Sequence, residues 1–262
     1  MIHRPRKRFG QNFLHDPMII NKIINAIRPA SSDALLEIGP GHGAITRPLL
    51  EAAGKLTVVE LDRDLIDPLQ AACSTLGDLT VHSADALTFD FCQVAGQQPL
   101  RIIGNLPYNI STPLLFHLLE QHECIKDMHF MLQKEVVERM AASPGSGQYG
   151  RLSVMLQYRC RVTPLFTIGP GAFKPPPKVE SAFVRLEPYS KPLVDISNEA
   201  TFETLVRQAF SQRRKTLRNT LRDLLDVTDI SSLGIDPSAR AETLELNDFA
   251  ALANRLDEIR ES

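Results

Sequence analysis

The apolar positions of this chain follow two regimes. Between residues 18 and 142, short apolar runs alternate with stretches in which apolar residues recur every three or four positions. Runs at 34–38, 56–61, 79–82, 100–103 and 128–132 predict strands, and helical spacing predicts helices over 18–27, 44–53, 65–76, 112–119 and 134–142. Such alternation predicts an α/β fold, a Rossmann-like, doubly wound parallel sheet. After Gly147 the regime changes. Runs at 152–158, 162–166 and 181–186 read as strands with no helix between them, which predicts an antiparallel edge to the sheet.

A second change follows "PYSKP" (188–192), which reads as a linker. Beyond it the strand signals vanish. Phe202, Leu205, Val206, Ala209 and Phe210 share one helical face; Phe249, Leu252, Ala253 and Leu256 share another. The expected division is an α/β domain over 1–188 and a small C-terminal all-α domain over 192–262. With 262 residues, 43% of them hydrophobic, the chain can bury a proper core and carry an appendage.

Composition narrows the picture mainly by exclusion. No run approaches the ~18 apolar residues of a membrane span. The N-terminal "MIHRPRKRFGQNFL" is basic but lacks the apolar core of a secretory signal. Cys73, Cys92, Cys124 and Cys160 contain no C-x-x-C pair, so neither a zinc cluster nor a disulfide framework is expected. His117 and His122 fall off a common helical face, and no metal site is expected. A cytoplasmic protein with reduced thiols fits these features. The net charge of −2 becomes informative only through its distribution.

Candidate chemistry gathers at predicted strand ends. In "LLEIGPGHGAI" (35–45), Gly39, Gly41 and Gly43 separate a strand from a helix, where glycines let the backbone approach a ligand. Ligands of such sheets bind beyond the carboxyl ends of the strands. Glu60, ending the next strand, suits the two hydroxyls of a ribose. Asp85, after the third strand, is placed to accept from an adenine amino group. A dinucleotide site wants G-x-G-x-x-G before a helix. Here the spacing is G-x-G-x-G, with Glu37 just ahead, and acidic surroundings suit a cationic ligand better than a phosphate. S-adenosylmethionine, with its sulfonium and ammonium groups, fits; a tight turn without a ligand is the alternative.

The fourth strand ends in Asn105-Leu106-Pro107-Tyr108. An exocyclic base amine is a poor nucleophile because its lone pair is delocalised into the ring. The Asn105 side-chain oxygen and the Leu106 carbonyl can each accept one of its protons and draw it towards tetrahedral geometry. Pro107 stiffens the loop, and Tyr108 offers a face for stacking the base. A neutral amide suffices because the methyl donor is already activated. The alternative is a proline turn with a packed tyrosine.

The loop resembles the (N/D/S)-P-P-(Y/F/W) signature of methyltransferases acting on planar amines, in an N-L-P-Y form. Nearly the whole chain resembles the bacterial small-subunit rRNA adenine dimethyltransferases, the KsgA family. The matching stretches are "KRFGQNFL" (7–14), "EIGPGHGAIT" (37–46), "GNLPYNISTPLLF" (104–116), "MLQKEVVERM" (131–140), "YGRLSV" (149–154), "FKPPPKVESAFVRL" (173–186) and "FSQRRKTLRNTL" (210–221). The resemblance implies a class I methyltransferase sheet. It implies that Asn12, Leu14, Gly39, Glu60, Asp85 and Asn105 contact S-adenosylmethionine. It implies that Phe173 holds a flipped adenine against Tyr108. It implies dimethylation of two adjacent adenosines in the hairpin near the 3′ end of 16S rRNA, with the 30S particle as partner; a monomer with no metal is expected.

Two basic stretches suit RNA phosphates. They are "RPRKR" (4–8) and 207–222, which carries Arg207, Arg213, Arg214, Lys215, Arg218 and Arg222 with no acidic residue; a solvated helix face is the alternative. "ASPGSGQYG" (142–150) reads as a mobile surface loop. Three competing readings remain: a 23S rRNA adenine methyltransferase of the antibiotic-resistance type, a non-catalytic ribosome-assembly factor, and a nicotinamide-dependent oxidoreductase. The helical tail disfavours the first, the intact turn and carboxylates the second, and the glycine spacing the third.

Overall fold

The computed structural model describes residues 12–261. The "RPRKR" stretch and the start of "KRFGQNFL" lie outside them. The chain divides into two compact units, 1–137 with 163–188, and 138–162 with 189–262. The division differs from the expected boundary, because 138–162 belongs with the C-terminal residues.

Unit 1 is built on a seven-stranded sheet in the order β4-β3-β2-β5-β6-β9-β7. Its strands are β2 (Ala34–Ile38), β3 (Lys55–Glu60), β4 (Asp78–Ser83), β5 (Leu100–Asn105), β6 (Ile125–Gln133), β7 (Cys160–Ile168) and β9 (Ser181–Pro188). The first five pair in parallel and β9 runs antiparallel to β6. In β2, Leu35, Leu36 and Ile38 are all buried, as a central parallel strand covered on both faces requires. β4, an edge strand, is only partly buried along its length.

The helices of this unit are α1 (Pro17–Ile27), α2 (Thr46–Ala53), α3 (Ile66–Cys73), α4 (Phe91–Ala95) and α5 (Ser111–Glu120). Asp16 caps α1 by accepting from the amides of Met18 and Ile19, with Pro17 at the first helical position. A two-stranded ladder pairs β1 (Phe13–Leu14) with β8 (Phe173–Lys174). α6 (Lys134–Met140) leads out of the sheet.

Two expectations fail here. Residues 152–158 form a helix, α7 (Arg151–Arg159), not a strand. Its apolar residues are spread around the axis, so burial gives no clear period. The helix is specified by polar contacts instead. Ser153 accepts from the Gly150 amide and donates to the Arg139 carbonyl, and the Gln157 amide donates to the carbonyls of Met140 and Ala142. The second failure is chemical. Cys92 and Cys124 form a disulfide across 32 positions, with Cα atoms 5.3 Å apart. Sequence spacing carries no signal for a pair brought together only by the packing of α4 near the end of α5.

Unit 2 also contains α8 (Glu199–Ala209), α9 (Leu217–Thr220), α10 (Val227–Ser232) and α11 (Leu246–Glu261). Phe202, Leu205, Val206 and Ala209 of α8 pack with Phe249, Leu252, Ala253 and Leu256 of α11 in one apolar cluster with Val154 and Tyr158 of α7. The loop expected to be mobile is tied down. Tyr149 is buried, the Gly145 amide donates to the Glu242 carbonyl, and Arg213 donates to the Gly147 carbonyl.

Candidate active site

The carboxyl ends of β2, β3 and β5 open into a cavity of about 150 Å³. The glycine turn forms one wall. Gly39, Gly41 and Gly43 all have positive φ. At Gly41 a Cβ would stand 3.1 Å from the Phe13 ring, so a side chain would press the turn against β1. The Gly41 amide donates to Glu60 Oε2 (3.3 Å) and the Asp62 amide to Glu60 Oε1 (2.8 Å), which fixes the carboxylate at the end of β3.

The electrostatics are one-sided. Glu37, Glu60, Asp62 and Asp85 line the cavity, and among the described lining residues there is no Lys or Arg. Glu37 is fully buried, and its carboxyl is pushed up to about 7, first by desolvation and then by the neighbouring Glu60, against a hydrogen bond from Thr46. That bond is short, Thr46 Oγ1 donating to Glu37 Oε2 at 2.6 Å. Burial also raises Glu60, opposed by the amides of Asp62 and Gly41. Asp85 accepts from the Leu87 amide with Oδ1 (3.0 Å), and no described donor binds its second oxygen. Ionising the buried Glu37 and Glu60 is costly where no described lining residue is Lys or Arg, and a cationic ligand lowers that cost.

The 105–108 loop closes the cavity from β5. Asn105 Nδ2 donates to the Asn12 carbonyl at 2.9 Å. That bond sets the amide, so Oδ1 remains an acceptor. The Leu106 amide donates to the Met131 carbonyl on β6, and the Ile110 amide to the Pro107 carbonyl. The Leu106 carbonyl accepts from no described residue. Asn105 and Leu106 both line this corner, each tied to a backbone carbonyl by one hydrogen bond. Tyr108 is half-buried, its hydroxyl 2.8 Å from Ser181 Oγ, and burial raises its phenol.

Of the residues expected at the site, Asn12, Leu14, Gly39, Glu60, Asp85, Asn105, Leu106, Pro107 and Tyr108 all line this cavity. Phe173 does not. It is 3% exposed and lies in the apolar core, because pairing of β8 with β1 sets it opposite Leu14. A ring held there offers no free face to a base. Sequence reasoning missed His42 and Leu61. His42 lies 4.1 Å from the Phe13 ring, centroid to centroid, and Leu61 is an apolar residue left half exposed beside Glu60. It also missed Gly104, where a Cβ would meet Leu106 Cδ2 at 2.7 Å and the Ile38 carbonyl at 3.0 Å; the loop can turn there only without a side chain.

The six expected RNA-facing cations are all exposed in unit 2. They do not share one helix: Arg207 ends α8, Arg213 to Lys215 lie in the connection, and Arg218 belongs to α9. Arg213 is paired with Glu242 at 3.3 Å, so the acid-free reading of this stretch fails in three dimensions. Arg222 lies 3.5 Å from Asp223. Arg214 and Lys215 have no acidic partner among the described residues. No group of described His, Cys, Asp or Glu residues is placed to hold a metal ion, and no described helix is long and apolar enough to cross a membrane.

Comparison with known proteins places the chain in a family. The family model described as ribosomal RNA adenine dimethylase matches residues 2–258. The chain is 56% identical to the ribosomal RNA small subunit methyltransferase A of Pseudomonas aeruginosa, over 98% of this chain and 96% of that protein. It is 54% identical to the Marinobacter nauticus protein of the same name, over 97% and 92%. The crystal structure of a Plasmodium falciparum dimethyladenosine transferase superposes with a TM-score of 0.80 at 30% identity, over 92% of this chain and 95% of that one. The 23S rRNA methyltransferase ErmE superposes at 0.72 with 26% identity, over 94% and 100%. A class I methyltransferase sheet, a family model matched over residues 2–258 and relatives more than half identical over almost the full length lead to one conclusion: this chain belongs to the ribosomal RNA adenine dimethylase family and is an rRNA adenine dimethyltransferase.

Proposed function

We propose that the chain uses S-adenosylmethionine to place two methyl groups on the N6 amine of each of two adjacent adenosines in the 3′-terminal hairpin of 16S rRNA, acting as a monomer on the 30S particle in the cytoplasm during small-subunit biogenesis. One observation carries the reading. Asn105, its amide nitrogen bound to the Asn12 carbonyl, and Leu106 line a cavity together with Glu37, Glu60, Asp62 and Asp85 and no described Lys or Arg. A dinucleotide or phosphate ligand would meet repulsion there; a sulfonium with an ammonium meets attraction.

On this proposal the roles are as follows. Glu60 holds ribose hydroxyls, Asp85 an adenine amino group, and Asn12, Leu14 and the Gly39 turn enclose the donor. Glu37 sits beneath the turn as a buried counter-charge. S-adenosylmethionine supplies an electrophilic methyl group when bound. Asn105 and Leu106 hold the two protons of the incoming amine, turn its lone pair out of conjugation and orient it for in-line attack. Pro107 keeps the loop rigid, and Tyr108 stacks the base after it leaves its own stack. Arg207, Arg214, Lys215, Arg218 and Arg222 contact RNA phosphates, with Arg213 sharing its charge with Glu242.

Methylating purified 30S and 50S particles in parallel with labelled donor, followed by mass mapping of the rRNA, tests the proposal. Label on two adjacent adenosines of 16S rRNA is expected. Label on 23S rRNA alone would favour the activity named for ErmE.

A further inference from the structure

Tyr108 is held at both ends. Its main-chain carbonyl accepts from Ser111 Oγ at 3.1 Å, and Ser111 is 2% exposed. Its hydroxyl meets Ser181 Oγ at 2.8 Å, across 73 positions of sequence, and Ser181 is 1% exposed. The second contact is not incidental to the strand. Ser181 is the first residue of β9, in register with Gln133 on β6. The corner before it is fixed twice, by the Lys134 amide donating to the Glu180 carbonyl (3.0 Å) and by the Lys134–Glu180 ion pair (2.8 Å). A buried hydroxyl on a strand thus grips the far end of a residue that lines the cavity.

We infer that Ser181 is a positioning residue of the methyl transfer, locking the Tyr108 ring in the plane that receives the target base. The inference rests on the proposed role of Tyr108. A ring that stacks a base must keep its plane while Asn105 and Leu106 hold the amine. A freely turning ring would tilt the base and move the amine off the line of attack. The tyrosine hydroxyl is then explained: phenylalanine stacks equally well but cannot be gripped from β9. The bond also ties the reactive loop to the antiparallel edge of the sheet, so the base-stacking face is set by two strands.

The test is a double-mutant cycle on intact enzyme, with 30S particles as substrate. Kinetic constants for RNA, S-adenosylmethionine affinity and thermal midpoint are measured for S181A, S181T, Y108F and S181A/Y108F. S181A and Y108F are each expected to lower kcat/KM for RNA by about tenfold, mainly through kcat, with donor affinity within about twofold of the parent. The double variant should be no worse than Y108F alone, and S181T should recover most of the loss. Full activity of S181A, additive losses in the double variant, or no recovery by S181T would overturn the inference. Should S181A fold poorly, Y108F, which removes only the hydroxyl, with S181T carries the same decision. Asn105→Ala keeps the two levels separate: if it stays active, the active-site reading fails; if it is inactive while S181A and Y108F are normal, only the role of Ser181 falls.

Discussion

Unit 1 has charged clusters at both ends of its sheet, and they differ in one respect. At the amino ends of β2, β5 and β6 the charges are balanced. Arg101 is 8% exposed and pairs with Asp33 at 2.7 Å and Asp127 at 3.1 Å, while donating to the Ile27 carbonyl (2.7 Å). Lys126 adds a further contact to Asp33. Despite desolvation, the guanidinium holds the Asp33 carboxyl below its ordinary range, and His129 followed by Arg101 does the same for Asp127. At the carboxyl ends, Glu37 and Glu60 are as well buried, but no described cation faces them and burial raises both. A completed buried charge cluster fixes structure. An uncompleted one stores a cost that a ligand of the right sign relieves, and so marks a binding site.

Substitutions at the two ends should therefore fail differently. The largest effect is expected at the carboxyl end. Asn105→Ala removes one of two acceptors, and turnover on 30S particles should fall by a factor of roughly a thousand while donor affinity, followed by calorimetry, changes only a few-fold. Near-normal methylation would remove Asn105 from the chemistry. At the amino end, Arg101→Ala takes the shared guanidinium from two carboxylates, leaving Asp33 with Lys126 and the Ala30 amide and Asp127 with His129. Thermal unfolding should reveal a loss of about 3 kcal/mol, with activity per folded molecule retained. A variant of normal stability would show that the balance is not structural.

The two ends should also respond oppositely to pH. Asp33 and Asp127 titrate below their unfolded values, so their contribution is present above about pH 4 and is lost as acid protonates them. Glu37 titrates above its unfolded value of 4.5, so its contribution is full below that pH and is lost as pH rises through about 7. Glu37→Gln should raise the stability of the ligand-free protein at pH 8 and leave it little changed at pH 4. An unchanged midpoint at both values would contradict the burial argument.

The smallest effect is expected in unit 2. Reversing the charge of Arg214 and Lys215 should weaken RNA binding several-fold and reduce its salt dependence by about one to two counterions, with donor affinity untouched. Reversing Arg213 should also disturb its link to Glu242. An unaltered salt slope for Arg214 and Lys215 would take them off the RNA contact.

The sequence made this site legible to the extent that strand ends and glycines are local features. Gly39, Glu60, Asp85 and Asn105 each follow an apolar run that is a parallel strand, and the fold brings such ends together by rule. What escaped depends on contacts distant in sequence. Ser153 and Gln157 specify α7 through the backbone at 139–142, so an apolar count alone read a strand. The Cys92–Cys124 disulfide and the Arg213–Glu242 pair join residues 32 and 29 positions apart. The resemblance implied Phe173 at the base, but the β1–β8 ladder sets it opposite Leu14 in the core. Arg101 sat in the stretch that leads to the loop, and only the structure gave it Asp33 and Asp127.

The most direct test of the charge argument is calorimetry of S-adenosylmethionine binding near pH 6, in buffers of differing ionisation enthalpy. A cationic ligand over a carboxyl poised at about 7 should favour its ionised form, so binding should release a proton and tighten as pH rises towards 8. Glu37→Gln should abolish that release and flatten the pH dependence. Binding with no proton release, or with release unchanged in Glu37→Gln, would contradict the account.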